Sequence, residues 1–204
     1  PLDPRNLVDL QAAVVEHGAE LGLAFDGDAD RCFVIDGAGA AVSPSAITAL
    51  VGLREAAKEV AAGRTPTVIH NLITSQVVPD LLTAAGARTV RTRVGHSFIK
   101  DEMARHEAVF GGEHSAHYYF RDFYFADTGM LAAMHVLAAL AEARAADGRI
   151  TLADLAARYQ PYAASGEINS TVADVGAARA RVVDAYVTRQ GAGPVDVDEL
   201  DGLT

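Results

Sequence analysis

Leu21-Gly22-Leu23-Ala24-Phe25-Asp26-Gly27-Asp28-Ala29-Asp30-Arg31-Cys32-Phe33-Val34-Ile35 sets two apolar runs on either side of an acidic turn. Leu21–Phe25 and Arg31–Ile35 read as two strands. Between them three carboxylates alternate with Gly27 and Ala29. Small spacers let the backbone curl so that the three side chains converge. Two carboxylates 4 Å apart at an effective dielectric of 20 repel by roughly 4 kcal/mol. Three therefore call for a cation between them, and hard oxygen ligands suit Mg2+. An EF-hand opens with the same spacing but needs Gly at its sixth position and Glu at its twelfth, where Arg31 and Gly37 stand here. Two readings remain open beside the metal loop: a solvated hairpin turn, and a haloacid-dehalogenase-like phosphatase with Asp26 as nucleophile.

Outward from this turn the chain alternates helical and strand patterns. Asn6 is placed to cap a helix carrying Leu7, Leu10 and Val14 on one face. Gly37–Val42 mimics a dinucleotide loop, but Val42 stands where that loop needs Gly or Ala, so it reads as a turn. Ser43-Pro44 opens a helix with Ile47, Leu50, Val51 and Leu53, stopped near Gly63. Strand Thr67–His70, helix Ser75–Ala85, strand Ala87–Arg91, a helix from about Ser97 to His106 and strand Ala108–Phe110 follow. Asp127 is placed to cap a long helix ending before Gly148; its stripe of Met130, Met134, Leu137 and Leu140 reads as core. A further helix starts near Thr151. Gly166–Val172 reads as a strand, Val175–Tyr186 as a helix and Gly191–Pro194 as a loop. This alternation predicts an α/β fold with a largely parallel or mixed sheet.

The 204 residues are 50% hydrophobic, enough for a buried core and against disorder. No apolar run in the sequence approaches the roughly 18 residues of a membrane helix, and no signal peptide is evident at Pro1–Arg5. Cys32 is the only cysteine, so no intrachain disulfide forms, which fits a reducing cytoplasm. The net charge of −10 disfavours nucleic acid as a partner and leaves small anions room only where a few cations converge.

Two more stretches carry chemistry. Gly111-Gly112-Glu113-His114-Ser115-Ala116-His117 follows a strand. Its glycines allow close backbone approach to a ligand. Glu113 and Ser115 offer the acceptor and donor that vicinal hydroxyls need, and His117 exchanges a proton near neutral pH. A zinc site on His114 and His117 lacks a cysteine or H-E-x-x-H partner. The other stretch, Arg93-Val94-Gly95-His96-Ser97-Phe98-Ile99-Lys100, puts cations around His96. Its Gly95-His96-Ser97 start of a nucleophile elbow fails at Ile99, where the closing Gly is required.

Asp26–Arg31 resembles the D-G-D-[GA]-D-R metal loop of the α-D-phosphohexomutases, the phosphomannomutase/phosphoglucomutase type. Gly112–His117 resembles that family's G-E-x-S-[GA]-H sugar-binding loop. It is closest to the G-E-M-S-G-H form of the bifunctional phosphomannomutase/phosphoglucomutases, although His114 is not their commonest residue. Arg93–Lys100 is similar to a [KR]-[TV]-G-H-x-x-[IV]-K stretch of the same domain. The resemblance implies Mg2+ on Asp26, Asp28 and Asp30, Arg31 beside the phosphate in transit, and His117 as proton shuttle. It implies a hexose phosphate (mannose or glucose 6-/1-phosphate) held by Glu113 and Ser115, with His96, Arg93 and Lys100 as further substrate contacts. Where some relatives carry a ligand-binding Lys, Leu72 stands here, leaving that contact absent or made by a residue such as His70.

The resemblance also implies a domain plan. Residues 1–42 correspond to the later half of the second of four domains, 43–160 to the third, a mixed sheet sandwiched by helices, and 161–204 to a linker and the opening of the fourth, where Glu167–Val172 resembles the first strand. The first-domain T-x-S-H-N-P phosphoserine loop and the fourth-domain R-x-S-x-T-x-P phosphate loop have no counterpart in these residues. The chain is thus expected to be a piece of a larger enzyme, inactive alone. That enzyme would pass phosphate from phosphoserine to a sugar phosphate and back through a bisphosphate, in the cytoplasm and away from membranes. A non-catalytic sugar-phosphate or cation-binding module is the non-enzymatic alternative.

Overall fold

The computed structural model describes residues 3–164, 170–187 and 200, in two units, Pro1–Tyr162 and Ala163–Thr204. The first unit opens with α1 (Val8–His17) after a short 3-10 turn, Pro4–Leu7. Asp3, rather than Asn6, caps that turn: its carboxylate accepts from Arg5 N at 3.0 Å. Leu7 and Val14 are buried, with Leu10 packed beside them, as the spacing predicts.

β1 (Leu21–Phe25), β2 (Cys32–Asp36) and β3 (Ala41–Val42) form an antiparallel sheet in that order. β1 and β2 pair from Leu21↔Asp36 to Phe25↔Cys32, so the acidic turn closes a hairpin. The glycine-rich segment after β2 is a turn, as expected. The Asp36 carboxylate accepts from Ala38 N and Ala40 N, both at 2.9 Å, and Gly39 adopts φ +82°, where a side chain is strained.

α2 (Pro44–Ala61) has Pro44 in its first turn; Ser43 holds the N-cap position without a capping bond from its hydroxyl. The second sheet runs in the order β5 (Arg88–Thr92), β4 (Thr67–Asn71), β6 (Phe110–Gly112), β7 (Tyr118–Phe120), β8 (Ala126–Asp127). β4 pairs with β5 and β6 in parallel; β6–β7 and β7–β8 are antiparallel. The mixed sheet is therefore present, but the expected strand Ala108–Phe110 begins two residues later. The short strands β3, β7 and β8 escape a periodicity reading because two or three residues are too few to show a period of two.

Alternation along β4 separates the two faces. Val68 packs with α2 and α3 (Val77–Ala84), while Ile69 packs with Ile99 and Met103 of α4 (His96–His106) and with Tyr119. α5 (Gly129–Ala146) lies against α2 and β2 and ties the small sheet to the large one. α6 (Leu152–Ala157) follows, capped by Thr151 and Asp154 in a reciprocal pair.

α5 overturns three expectations. Thr128, not Asp127, holds its N-cap position. Met130 (54%), Met134 (60%) and Leu137 (41%) are exposed; of the expected stripe only Leu140 is buried, beside Ala132, Ala133, Val136 and Ala139. The buried face is built mostly of alanines and packs on α2 and β2, which leaves the two methionines outside. Its 18 residues also reach a mean hydropathy of 1.2, long and apolar enough to cross a membrane, although its alanine face is packed on protein.

Arg121, just after β7, reaches Glu59 of α2 at 2.9 Å, and Arg64 holds the other side of the same carboxylate at 2.6 Å. Hydrogen bonds from Arg64 and then Arg121 push the Glu59 carboxyl down to about 2. A group depressed in the folded state contributes its stability above its ordinary pKa and loses it as pH falls through the folded one. Glu59→Gln is expected to destabilise by about 1–2 kcal/mol at pH 7, the gap to the parent narrowing as pH falls from 4.5 toward 2. Urea unfolding across that range measures it.

In the second unit α7 (Val175–Val187) starts at Asp174, whose carboxylate accepts from Ala177 N at 2.9 Å. Of the strand expected over Gly166–Val172, residues 166–169 lie outside the described residues, as does the loop Gly191–Pro194; residues 170–172 are not in a strand.

Candidate functional site

The turn between β1 and β2 brings one carboxylate oxygen each of Asp26, Asp28 and Asp30 within 4.8 Å of one another. Ala29 allows this with φ +59°, and its N–H donates to Asp26 O at 3.2 Å. Arg31 holds Asp26 through its Nε and through its backbone N at 3.2 Å. Burial works to raise the Asp26 carboxyl, but the Arg31 hydrogen bonds and charge outweigh it, leaving it below the ordinary range. Asp30 goes the other way: burial raises it, the charges of Asp26 and Asp28 add, and His117 opposes. Its Oδ1 is buried without a hydrogen-bond partner. A crowded carboxylate whose Oδ1 makes no hydrogen bond and meets the Arg31 charge only at 3.8 Å is what a divalent cation relieves, so the donor set fits Mg2+.

The second loop lies directly against the first. Arg31 and His117 form an antiparallel bridge, Cys32 N donates to Ala116 O at 3.2 Å, and Gly129 N donates to Ala29 O at 2.9 Å. His117 Nε2 stands 3.7 Å from Asp30 Oδ2. The two loops are separated by about eighty residues in sequence and joined by backbone in space.

Glu113 is the hub of the second loop and is only 2% exposed. Its Oε1 accepts from Asn71 Nδ2 at 3.0 Å and Gly95 N at 3.4 Å; its Oε2 accepts from Tyr119 OH at 2.8 Å and faces His117 Nδ1 at 3.3 Å. Burial favours the neutral acid, but the bonds from His117, Tyr119 and Asn71 outweigh it and lower its pKa. His117 moves the opposite way. Burial opposes its charge, yet Glu113, Asp30 and Asp127 together raise it. Ser115 Oγ sits 2.9 Å from His117 Nδ1.

Other expected residues are placed differently. Lys100 reaches the site from α4 by pairing with Asp127 Oδ1 at 2.7 Å, above the Tyr119 ring. Arg93 instead lies over the Phe98 ring at 4.8 Å. His96 is exposed at the start of α4, and the Gly95 backbone N–H before it donates to Glu113. His114 is drawn to Ser45 Oγ at 2.8 Å, and neither cluster of potential metal ligands among the described residues includes it.

One role changes. Gly111 and Gly112 serve helix packing. A Cβ on Gly112 would lie 2.4 Å from Thr48 Cγ2 of α2, and one on Gly111 would lie 2.9 Å from Ile99 Cγ2 and Met103 Sδ of α4. His70, named in place of the missing lysine, is buried, with Nδ1 against Asn71 O at 3.1 Å, and burial depresses its pKa. Leu72 contributes only a backbone N–H, to Thr92 O.

Sequence reasoning missed Asn71, Tyr119 and Asp127. Asn71, buried at the end of β4, carried a signal: an amide at the carboxyl end of a parallel strand lies where such sheets bind ligands. Tyr119 and Asp127 sit on the short strands and carried none.

The family described as phosphoglucomutase/phosphomannomutase, alpha/beta/alpha domain III, matches residues 43–162, and its domain II matches residues 1–39. Phosphomannomutases of Salmonella typhimurium strain LT2 and Escherichia coli K12 are 40% and 38% identical to the chain over 204 residues. Each alignment spans all of this chain but 42% of the relative. A phosphoglucomutase/phosphomannomutase family protein from Burkholderia thailandensis shares the fold with a TM-score of 0.70 at 24% identity, covering 100% of this chain and 41% of its own. With domain III matched across more than half its length, and the mixed sheet that this match requires in place, the chain belongs to the phosphoglucomutase/phosphomannomutase family.

Proposed function

We propose that this chain supplies the metal loop and sugar-binding loop of an enzyme that interconverts hexose 6-phosphate and hexose 1-phosphate in the cytoplasm. Residues 1–42 are the later half of its second domain, 43–160 its third, and 161–204 lead into a fourth. The supporting observation is the backbone junction of the two loops through Arg31 and His117, with His117 Nε2 beside Asp30.

Asp26, Asp28 and Asp30 would hold Mg2+, which supplies charge neutralisation for a phosphoryl group when bound. Arg31 anchors Asp26 and brings a guanidinium to the same turn. His117 holds its proton to a higher pH than an ordinary imidazole and is poised to give it to a sugar or phosphate oxygen. Ser115 offers a hydroxyl to the substrate. Glu113 is already saturated with donors, so it reads a sugar hydroxyl only by exchanging one of them, most cheaply the long contact from Gly95 N.

The phosphatase reading is disfavoured by Asp26 itself. Both of its oxygens already accept from Arg31, leaving a poor nucleophile. The test uses the gene product that carries this chain, assayed with mannose and glucose 1-phosphates and a catalytic amount of bisphosphate. Mutase turnover that drops at least 100-fold in Asp28→Asn supports the proposal. Absence of turnover, or acyl-phosphate trapped on Asp26, overturns it. The 204-residue chain alone is expected to show no turnover.

A further inference from the structure

His114 is the exposed residue of the second loop, set between two side chains that turn inward. Glu113 is buried on Asn71 and Tyr119, and Ser115 Oγ is drawn to His117 Nδ1. The His114 ring is nonetheless fixed, from outside the loop. Ser45 Oγ of α2 lies 2.8 Å from His114 Nδ1 and accepts from Ser75 N at 3.1 Å. Ser45 is 1% exposed, so its hydroxyl cannot turn to water. Among the described residues no other acceptor bonds that hydroxyl. Its proton therefore goes to Nδ1, and the neutral ring carries its own proton on Nε2.

The place of this bond matters as much as its direction. Ser75 follows β4 and His114 follows β6, so the trio sits at the carboxyl ends of two parallel strands, the edge where such sheets bind ligands. Ser45 does not cap α2, whose N-cap position is Ser43; its hydroxyl is spent on bonds between elements. The Glu113 carboxylate already accepts from Asn71, Tyr119 and Gly95. A neutral N–H on a fixed ring gives the loop a donor for a sugar oxygen. Such a donor suits a hydroxyl, whereas a phosphoryl group is matched by a cation.

We propose that His114 is a substrate contact, a neutral Nε2–H donor to a sugar hydroxyl, and that Ser45 is the positioning residue that fixes its tautomer and direction. This assignment rests on the sugar-phosphate reading of the loop and adds which side chain reads the sugar. Ser45 touches no substrate. It acts through the ring, as a buried hydroxyl anchored by the Ser75 backbone.

The test has two arms. Nitrogen NMR of the 204-residue chain, labelled at histidine, reads the tautomer at about pH 8, on the alkaline side of an ordinary imidazole. His114, assigned by its loss in His114→Asn, is expected as the Nε2–H form in the parent and as a tautomer mixture in Ser45→Ala. In the gene product that carries this chain, Ser45→Ala and His114→Asn are each expected to raise KM for mannose or glucose 1-phosphate about fivefold or more, with kcat changed less than about twofold. Asparagine keeps an acceptor for Ser45 but removes the Nε2 donor, so the double variant should be no worse than the worse single. Inhibition by inorganic phosphate should shift less than about twofold in both. Thermal melting checks folding, and His114→Asn, at an exposed position, carries the test if Ser45→Ala does not fold. A tautomer unchanged in Ser45→Ala, or additive effects on KM, overturns the assignment. So does phosphate inhibition that weakens in step with KM, which would place the ring on the phosphoryl group. A parent that turns over with KM indifferent to Ser45 and His114 overturns this assignment alone; a parent without turnover overturns the mutase reading and this assignment with it.

Discussion

Gly129→Ala is expected to cost about 3 kcal/mol of stability and to weaken Mg2+ binding at least tenfold. The first residue of α5 touches the acidic loop from behind. A Cβ there would lie 2.4 Å from Arg31 O, 2.6 Å from Arg31 C and 3.0 Å from Cys32 N. All three are backbone atoms, so no side chain can swing aside. The N–H of Gly129 also holds Ala29 O at 2.9 Å, and that bond must stretch as the helix backs away. Displacement falls on the segment that spaces Asp28, Asp30 and His117. Gly148→Ala is the control: nothing lies within 4 Å of its Cβ position, and its cost should stay within about 0.5 kcal/mol. Urea unfolding with a parallel Mg2+ titration measures both. Equal stability of the two variants would show that α5 does not press on the loop.

Glu113→Ala is expected to destabilise by about 3–5 kcal/mol, and Glu113→Gln by about 1–3 kcal/mol. Truncation strands the buried Asn71 amide and Tyr119 hydroxyl, together with the half-buried His117 ring. The amide keeps the shape but turns one acceptor into a donor facing other donors. The effect has a pH signature of known sign. Glu113, depressed on folding, contributes above the ordinary carboxylate range and loses its share as pH falls through its lowered pKa. His117, raised on folding, contributes below the ordinary imidazole range and loses its share as pH rises through its raised pKa. The deficit of Glu113→Ala should therefore be greatest between those limits and narrow on both sides. Tyr119→Phe in the same background should add less than it costs alone, because the hydroxyl has already lost its acceptor. Strict additivity would deny the coupling.

The residues that were legible share a property: their chemistry is written in a contiguous stretch. Asp26, Asp28 and Asp30 lie within five residues, and the strands flanking them are long enough to show their apolar character. Helices α1, α2 and α4 carry caps, stops or apolar spacings that survive without knowledge of their neighbours. The misreadings at α5 have the opposite origin. Met130 and Met134 look like core because they are large and apolar, but which face of a uniformly apolar helix turns inward is decided by what it meets. Here it meets α2 and β2, and the face turned inward is Gly129, Ala132, Ala133, Val136, Ala139 and Leu140. Gly111 and Gly112 were read as ligand space for a similar reason: a glycine announces a close approach but not by what, and the approach is made by Thr48 and Met103.

The amino-acid sequence by itself determined the α/β class, the hairpin with its three aspartates, and the family, because each follows from local periodicity, turn chemistry or a contiguous motif. The tertiary structure alone decided that Arg31 meets His117, that Glu113 spends its oxygens on Asn71, Tyr119, Gly95 and His117, and that Asp127 pairs with Lys100 instead of capping a helix. These contacts join elements far apart in the chain. A buried carboxylate takes whichever donors the packed elements deliver to it, and that choice has no local trace.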